Sequence, residues 1–161
     1  MRLAPVLALV LACAAASAAT GEQWSLATRR DGARTIVYRY ICDLGAKAGE
    51  RDRQPDRVTL SWRYDAAANN GMPTDAEAAG MDDLENALDK AVEQDGFANL
   101  ALVRTGGGLR EWTYYTTSGP AFVQRMNEAI QGRVNAPLEV DVRPDPRWTA
   151  WDDVLKQLTS R

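Results

Sequence analysis

Apolar and polar residues alternate most strictly between Val58 and Tyr64. Val58, Leu60, Trp62 and Tyr64 fall on one side, and Thr59, Ser61 and Arg63 on the other. A period of two residues predicts a strand with one buried face. The same period returns at Leu138 to Arg143, where Leu138, Val140 and Val142 face in and Glu139, Asp141 and Arg143 face out. Between these stretches the period changes. Met81, Leu84, Leu88, Ala91 and Val92 recur at helical spacing and form one stripe. Thr74 followed by Glu77 predicts a capping box at the start of this helix. Gly80 predicts a kink or a later start, and Gly96 a left-handed stop. A second stripe, Phe122, Met126, Ala129 and Ile130, follows Ser118-Gly119-Pro120 and ends at Gly132. Proline suits the first turn of a helix because its missing N–H would have no partner there.

Between the two helices, Ala98 to Thr116 reads as two strands joined by a turn at Gly106-Gly107-Gly108. From Val58 the order is therefore strand, helix, strand, strand, helix, strand. This is the ferredoxin-like βαββαβ order of an α+β fold. It predicts that the strands beginning at Val58 and Leu109 are central and that both helices cover one side of the sheet. The other side is expected to carry Thr59, Ser61, Arg63, Glu111, Glu139, Asp141 and Arg143. Upstream, Trp24 to Thr28 and Thr35 to Ile41 flank Asp31-Gly32, the signature of an N-terminal β-hairpin. Asp43 to Asp56 reads as a long exposed loop, and Asp65 to Pro73 as a loop turning at Asn70-Gly71. Downstream, Trp148, Trp151, Leu155 and Leu158 share one face of a C-terminal helix, with Asp145 as its N-cap and Pro146 at its first position. Hairpin and helix must bury their apolar faces, either on the second sheet face or at a sheet edge.

The first residues read as an address. Met1-Arg2 is a short positive region, Leu3 to Leu11 is apolar but too short to span a bilayer, and small residues follow to Ala19. The expectation is a signal peptide over residues 1–19, cleaved near Ala18 or Ala19. One secreted or periplasmic domain would follow over 20–161, with no transmembrane segment. A lipoprotein anchored at Cys13 is the alternative. In a chain so cleaved, Cys42 would be the only cysteine left, without an intramolecular partner.

Composition removes several chemistries. The 161 residues include no histidine, so Ser-His-Asp, Cys-His and histidine–zinc sites are excluded. A net charge of −3 argues against a nucleic-acid partner, which calls for a basic footprint. The glycine run lacks the lysine and hydroxyl of a phosphate-binding loop. Carboxylates are plentiful, but their spacing matches no metal-binding loop, and no cofactor is expected. Three groups remain as binding candidates. These are Arg110-Glu111 with Tyr115 on the second strand of the glycine hairpin, Asp65 with Asn70 in the strand-to-helix loop, and Asp145 ahead of the last helix.

These groups lie in four short motifs: Asn70-Gly71-Met72-Pro73, Met81-Asp82-Asp83-Leu84-Glu85, Thr105 to Glu111 leading to Tyr114-Tyr115, and Asp145-Pro146-Arg147-Trp148. In order and spacing they resemble the bacterial family known as domain of unknown function 695, over about Trp24 to Leu155. The resemblance implies an α+β fold and carries no activity and no catalytic residues. The layout is also similar to that of the bacterial inhibitors of ribonuclease E. That is an analogy of fold, and a secreted chain would not meet a cytoplasmic ribonuclease. The reading is a non-catalytic binding module whose partner is another protein. The alternative is a small carboxylate-based or metal-dependent hydrolase using Asp65, Glu111 and Asp145.

Overall fold

The computed structural model describes residues 24–42, 48–67, 69–132 and 137–159. The expected signal peptide and Cys13 lie outside them. In chain order the elements are β1 (Trp24–Asp31), β2 (Arg34–Ile41), α1 (Ala48–Arg51), β3 (Asp56–Arg63) and α2 (Asp75–Leu88). After α2 come a π-helical turn (Asp89–Glu93), β4 (Ala98–Gly106), β5 (Leu109–Thr116), α3 (Gly119–Ile130), β6 (Leu138–Pro144) and α4 (Thr149–Thr159). No helix among them is long and apolar enough to cross a membrane.

The strands form one six-stranded sheet in the order β1-β2-β4-β5-β3-β6, with every neighbouring pair antiparallel. β3 and β5 lie side by side inside it, as expected from the βαββαβ order. The fold is thus mixed α/β, with a sheet two strands wider than a four-stranded βαββαβ sheet. The N-terminal hairpin is the reason, because β2 pairs with β4 and carries β1 outward. Of the two places open to the hairpin and the last helix, the hairpin takes the edge and α4 takes the second face.

Each face of the sheet has its own core. On one, Val58, Leu60, Trp112 and Tyr114 pack against Met81, Leu84 and Leu88 of α2 and Phe122 and Met126 of α3. On the other, Tyr40, Leu102 and Tyr115 pack against Trp148, Trp151 and Leu158 around α4. Strict alternation cannot assign β4 to these two cores. Leu100 and Val103 belong to the first, Ala101 and Leu102 to the second. A β-bulge between Leu100 and Leu102 inserts Ala101 and resets the phase.

The helix starts agree with their signals. Thr74 and Glu77 form the reciprocal capping box, and Ser118 accepts the amide of Ala121 at the start of α3. Gly80 does not start α2, which runs unbroken through it from Asp75 to Leu88. It lets the Trp62 ring approach, and a Cβ there would lie 3.3 Å from it. The stretch expected as an exposed loop before Asp56 is corrected in part. It contains α1, and Gln54 is buried because its side chain links Gly96 O (3.1 Å) to Asn99 (2.7 Å). Helix α4 starts at Thr149 rather than after Asp145, because Trp148 has φ +55° and interrupts any earlier helix. On edge strand β6, Val140 and Val142 share the helix side of the sheet but stay 38% and 39% exposed. Cys42 is half-buried at the end of β2, its sulfur against the Ser25 hydroxyl. In the full-length chain it is not a free thiol, and the chain's other cysteine, Cys13, lies outside the described residues; the expectation of a lone Cys42 concerns the cleaved chain.

The β4–β5 hairpin shows why its turn needs glycine. Gly107 and Gly108 have φ +66° and +81°, the two left-handed residues of a type I′ turn. Gly106 has φ +140°, and a Cβ there would sit 2.3 Å from the Thr35 carbonyl oxygen. Gly106→Ala is therefore expected to destabilise the protein by more than about 2 kcal/mol, adding overpacking to backbone strain. Gly132→Ala, with φ +70° and nothing within 4 Å, is expected to cost only the left-handed strain, about 1 kcal/mol. Urea unfolding of both variants checks the ranking. Equal midpoints would show that the close approach at Gly106 does not matter.

Candidate functional site

The six residues singled out from the sequence do not form one site. Arg110 and Glu111 are adjacent in β5, so they point to opposite faces of the sheet. Arg110 lies on the α2 side, where it donates to Thr105 Oγ1 (3.1 Å) and pairs with Asp82 on α2 (3.1 Å). Glu111 lies on the other side and faces Arg104 across the β4–β5 ladder at 3.5 Å. Asp65 accepts the amide of Ala67 (2.8 Å), and Asn70 is exposed at φ +52° beside Gly71. Their loop docks on the glycine turn: the Gly108 amide donates to Gly71 O (3.2 Å), and the Tyr64 hydroxyl donates to the same carbonyl (2.9 Å).

Tyr115 and Asp145 do meet, under α4. The Tyr115 hydroxyl donates to Asp145 Oδ2 (2.9 Å), and its ring stacks on Trp148 with centroids 4.1 Å apart. Asp145 also accepts the amides of Thr149 (2.8 Å) and Ala150 (3.0 Å), so it caps α4 across the intervening turn. The Trp148 indole donates to Gln54 O (2.9 Å), and Arg51 makes a two-pronged bond to Asp152 (3.0 and 3.1 Å). Burial pushes the Tyr115 hydroxyl pKa upward, and the Asp145 carboxylate pushes the same way. At Asp145 burial acts to raise the pKa, but the Ala150 and Thr149 amides and the Tyr115 hydroxyl outweigh it and hold the carboxyl below its usual range. These contacts seat a helix on a sheet.

A cleft opens elsewhere, on the α2 side, where the sheet outruns its helices. Two helices about 10 Å apart cover four strands, which span about 14 Å. The hairpin adds about 10 Å more, one helix diameter, with no third helix on that face among the described residues. The gap is a cleft of about 260 Å³ between the C-terminal half of α2 and the β1–β2 wing. Trp24 of β1, Arg39 of β2 and Tyr114 of β5 form its sheet wall. Glu85 of α2 and Asp89 and Glu93 of the π-helical turn form the other. None of the six sequence candidates lines it.

The charged walls are partly tied down. Arg39 pairs with Glu85 and lies 4.9 Å from the Trp24 ring centre. The second oxygen of Glu85 accepts the Trp112 indole N–H (2.8 Å), and Glu93 Oε1 accepts the Leu100 amide (2.6 Å). Burial raises the pKa of the Tyr114 hydroxyl well above its ordinary value. The nearby Glu93, Glu85 and Asp89 carboxylates add to this and Arg39 opposes it. The hydroxyl keeps its proton across the physiological range and can both donate and accept. Among the described residues no three His, Cys, Asp or Glu side chains are placed so as to hold one metal ion.

Two backbone irregularities border the cleft, the π turn that supplies Asp89 and Glu93 and the bulge beside Leu100. Both kinds of irregularity are over-represented at functional sites. The α2 stripe Met81 to Val92 held no sign of the π turn, since both helix types keep these residues on the buried side. Arg39, the one charged residue in the inward half of an apolar strand, was the available hint.

The model of a family of unknown function, DUF695, matches residues 22–156. The chain belongs to that family. No curated protein matches it. No solved structure does either. The match covers all four motifs read from the sequence, so the motifs of this DUF695 chain can be compared with their contacts. The Asn70 and glycine-turn motifs hold each other, the α2 motif supplies Asp82 and Glu85 to Arg110 and Arg39, and the Asp145 motif seats α4.

The Asp145 carboxylate is tested by pH. Its folded pKa lies below the unfolded value of about 3.9, so it stabilises the fold above that pH. That contribution vanishes as pH falls through the folded value. Asp145→Asn is expected to unfold at lower urea than wild type at pH 7, with the difference narrowing as pH falls below the unfolded value of about 3.9. A difference that does not change with pH would contradict the shift.

Proposed function

We propose that this DUF695 protein is a secreted, non-catalytic binding module and that the cleft between α2 and the β1–β2 wing is where it holds its partner. The observation that carries the reading is the meeting of the π turn and the β-bulge at one cleft. Its Glu85 and Glu93 carboxylates sit in an ion pair and in hydrogen bonds rather than beside a nucleophile. The alternative, hydrolysis by Asp65, Glu111 and Asp145, loses support from their placement. One closes a local turn, one pairs across a ladder and one caps a helix. In this reading β3 to β6 with α2 and α3 are a ferredoxin-like unit, to which the hairpin and α4 were added. The order β4-β5-β3-β6 and the chain order βαββαβ support that description. Export through the signal peptide of residues 1–19 is part of the same proposal, with anchoring at Cys13 as its variant.

The test joins location to activity. Intact mass of the protein from the envelope or medium is expected to show a chain starting near Ala19 or Thr20. A lipid-modified Cys13 would replace free secretion by anchoring, and a full-length cytoplasmic chain would overturn export. The purified protein is expected to turn over none of a panel of ester, peptide and phosphoester substrates. Turnover abolished by Asp65→Asn or Glu111→Gln would overturn the non-catalytic reading.

A further inference from the structure

Three carboxylates and one guanidinium face the cleft, and the guanidinium is already paired with Glu85. The carboxylate of Asp89 makes no ion pair among the described residues and stands exposed at the rim. An exposed carboxylate alone would be a solvated helix end. Tyr114 is the independent observation. Its side chain is 1% exposed, it lines the cleft, and its hydroxyl has no hydrogen-bond partner among the described residues. Tyr114 is not among the sealed, unpartnered polar atoms of the described residues, so its hydroxyl keeps contact with the cleft while its ring is packed. The hydroxyl is thus a polar group at the cleft that no side chain among the described residues meets.

We propose that the cleft binds an alkylammonium group, with Tyr114 Oη and the Asp89 carboxylate as its acceptors and Trp24 as its aromatic wall. This deepens the binding-module reading above and rests on it. Size and chemistry agree with the assignment. A cleft of about 260 Å³ is smaller than the range of about 300–1,000 Å³ for drug-sized ligands, and suits one extended side chain. An ammonium offers three donors, and the cleft offers acceptors at Tyr114, Asp89 and Asn86. The wall already accommodates a cation, since the Arg39 guanidinium lies over the Trp24 ring. The ammonium can come from a lysine side chain of a peptide or from a free amine, and both present the same group.

Isothermal titration of the full chain with N-acetyl-lysine methylamide and with cadaverine distinguishes the sources. Its ε-acetylated analogue is the neutral control. Saturable binding of either amine is expected, with no binding of the control. The amine that binds identifies the source. Tyr114→Phe keeps the ring and is expected to weaken binding by about tenfold or more. Asp89→Asn, at an exposed position, is expected to weaken it by about fivefold and to flatten its salt dependence. Unchanged circular dichroism and urea midpoints no lower than wild type show that both variants fold. No binding of either amine overturns the assignment, as does equal binding of the neutral control or binding that neither variant weakens. Mass spectrometry of the probes after titration separates the two proposals. Binding with chemical conversion would retain the cation site and overturn the non-catalytic reading, whereas binding of intact probe supports both.

Discussion

The extra residue in β4 is the feature on which both faces of the sheet depend. Ala101 breaks the ladder and so lets Leu100 and Val103 point to one core while Ala101 and Leu102 point to the other. A bulge leaves backbone groups without ladder partners, and buried backbone groups must find others. Both sides of the sheet supply them. The Leu100 amide donates to Glu93 Oε1 (2.6 Å) on the helix side, and the Ala101 carbonyl accepts the Trp151 indole N–H (3.3 Å) on the α4 side. The π turn at the end of α2 carries that glutamate. One irregularity in a strand and one in a helix therefore satisfy each other, and a tryptophan on α4 completes the set.

The second core follows from the same logic of satisfied polar groups. Tryptophans bury large area but bring an N–H that needs a partner. Both core tryptophans of this face have one, at Gln54 O and Ala101 O. Gln54 is itself held by Gly96 and Asn99, so the segment before β3 is fixed by what α4 requires of it. This is why the stretch before Asp56 is ordered around a buried glutamine although its composition reads as a solvated loop.

Period and caps made the order of elements legible. Thr74 with Glu77, Ser118 ahead of Pro120, and the alternation at Val58 each encode a local structure that tertiary contacts did not override. Gly80 was misleading because a glycine can serve a neighbour's ring as well as a break. The start of α4 was displaced because a left-handed Trp148 carries no local signal, its conformation being held by the Tyr115 stack and the Gln54 carbonyl. The bulge and π turn each shift phase by one residue, which a short window cannot separate from ordinary irregularity. The cleft was illegible for a further reason. Its walls come from β1, β2, β4, β5, α2 and the π turn, and only the width of the whole sheet relative to its helices creates it.

Arg110 beside Glu111 looked like a functional pair because two opposite charges next to each other have no obvious packing role. The pleat separates them. Each finds its partner on its own face, Asp82 for one and Arg104 for the other. The same holds for Tyr115 and Asp145, whose contact is the cap of α4. Short motifs with turn residues, caps and aromatics mark where a chain of this size touches itself. The chemistry left over is at Tyr114, one residue from Tyr115 and on the opposite face. Its ring is accounted for by the Phe122 contact at 5.0 Å, and its hydroxyl is not. The ring serves the core and the oxygen reaches the cleft, so the two ends of one side chain answer to different surroundings.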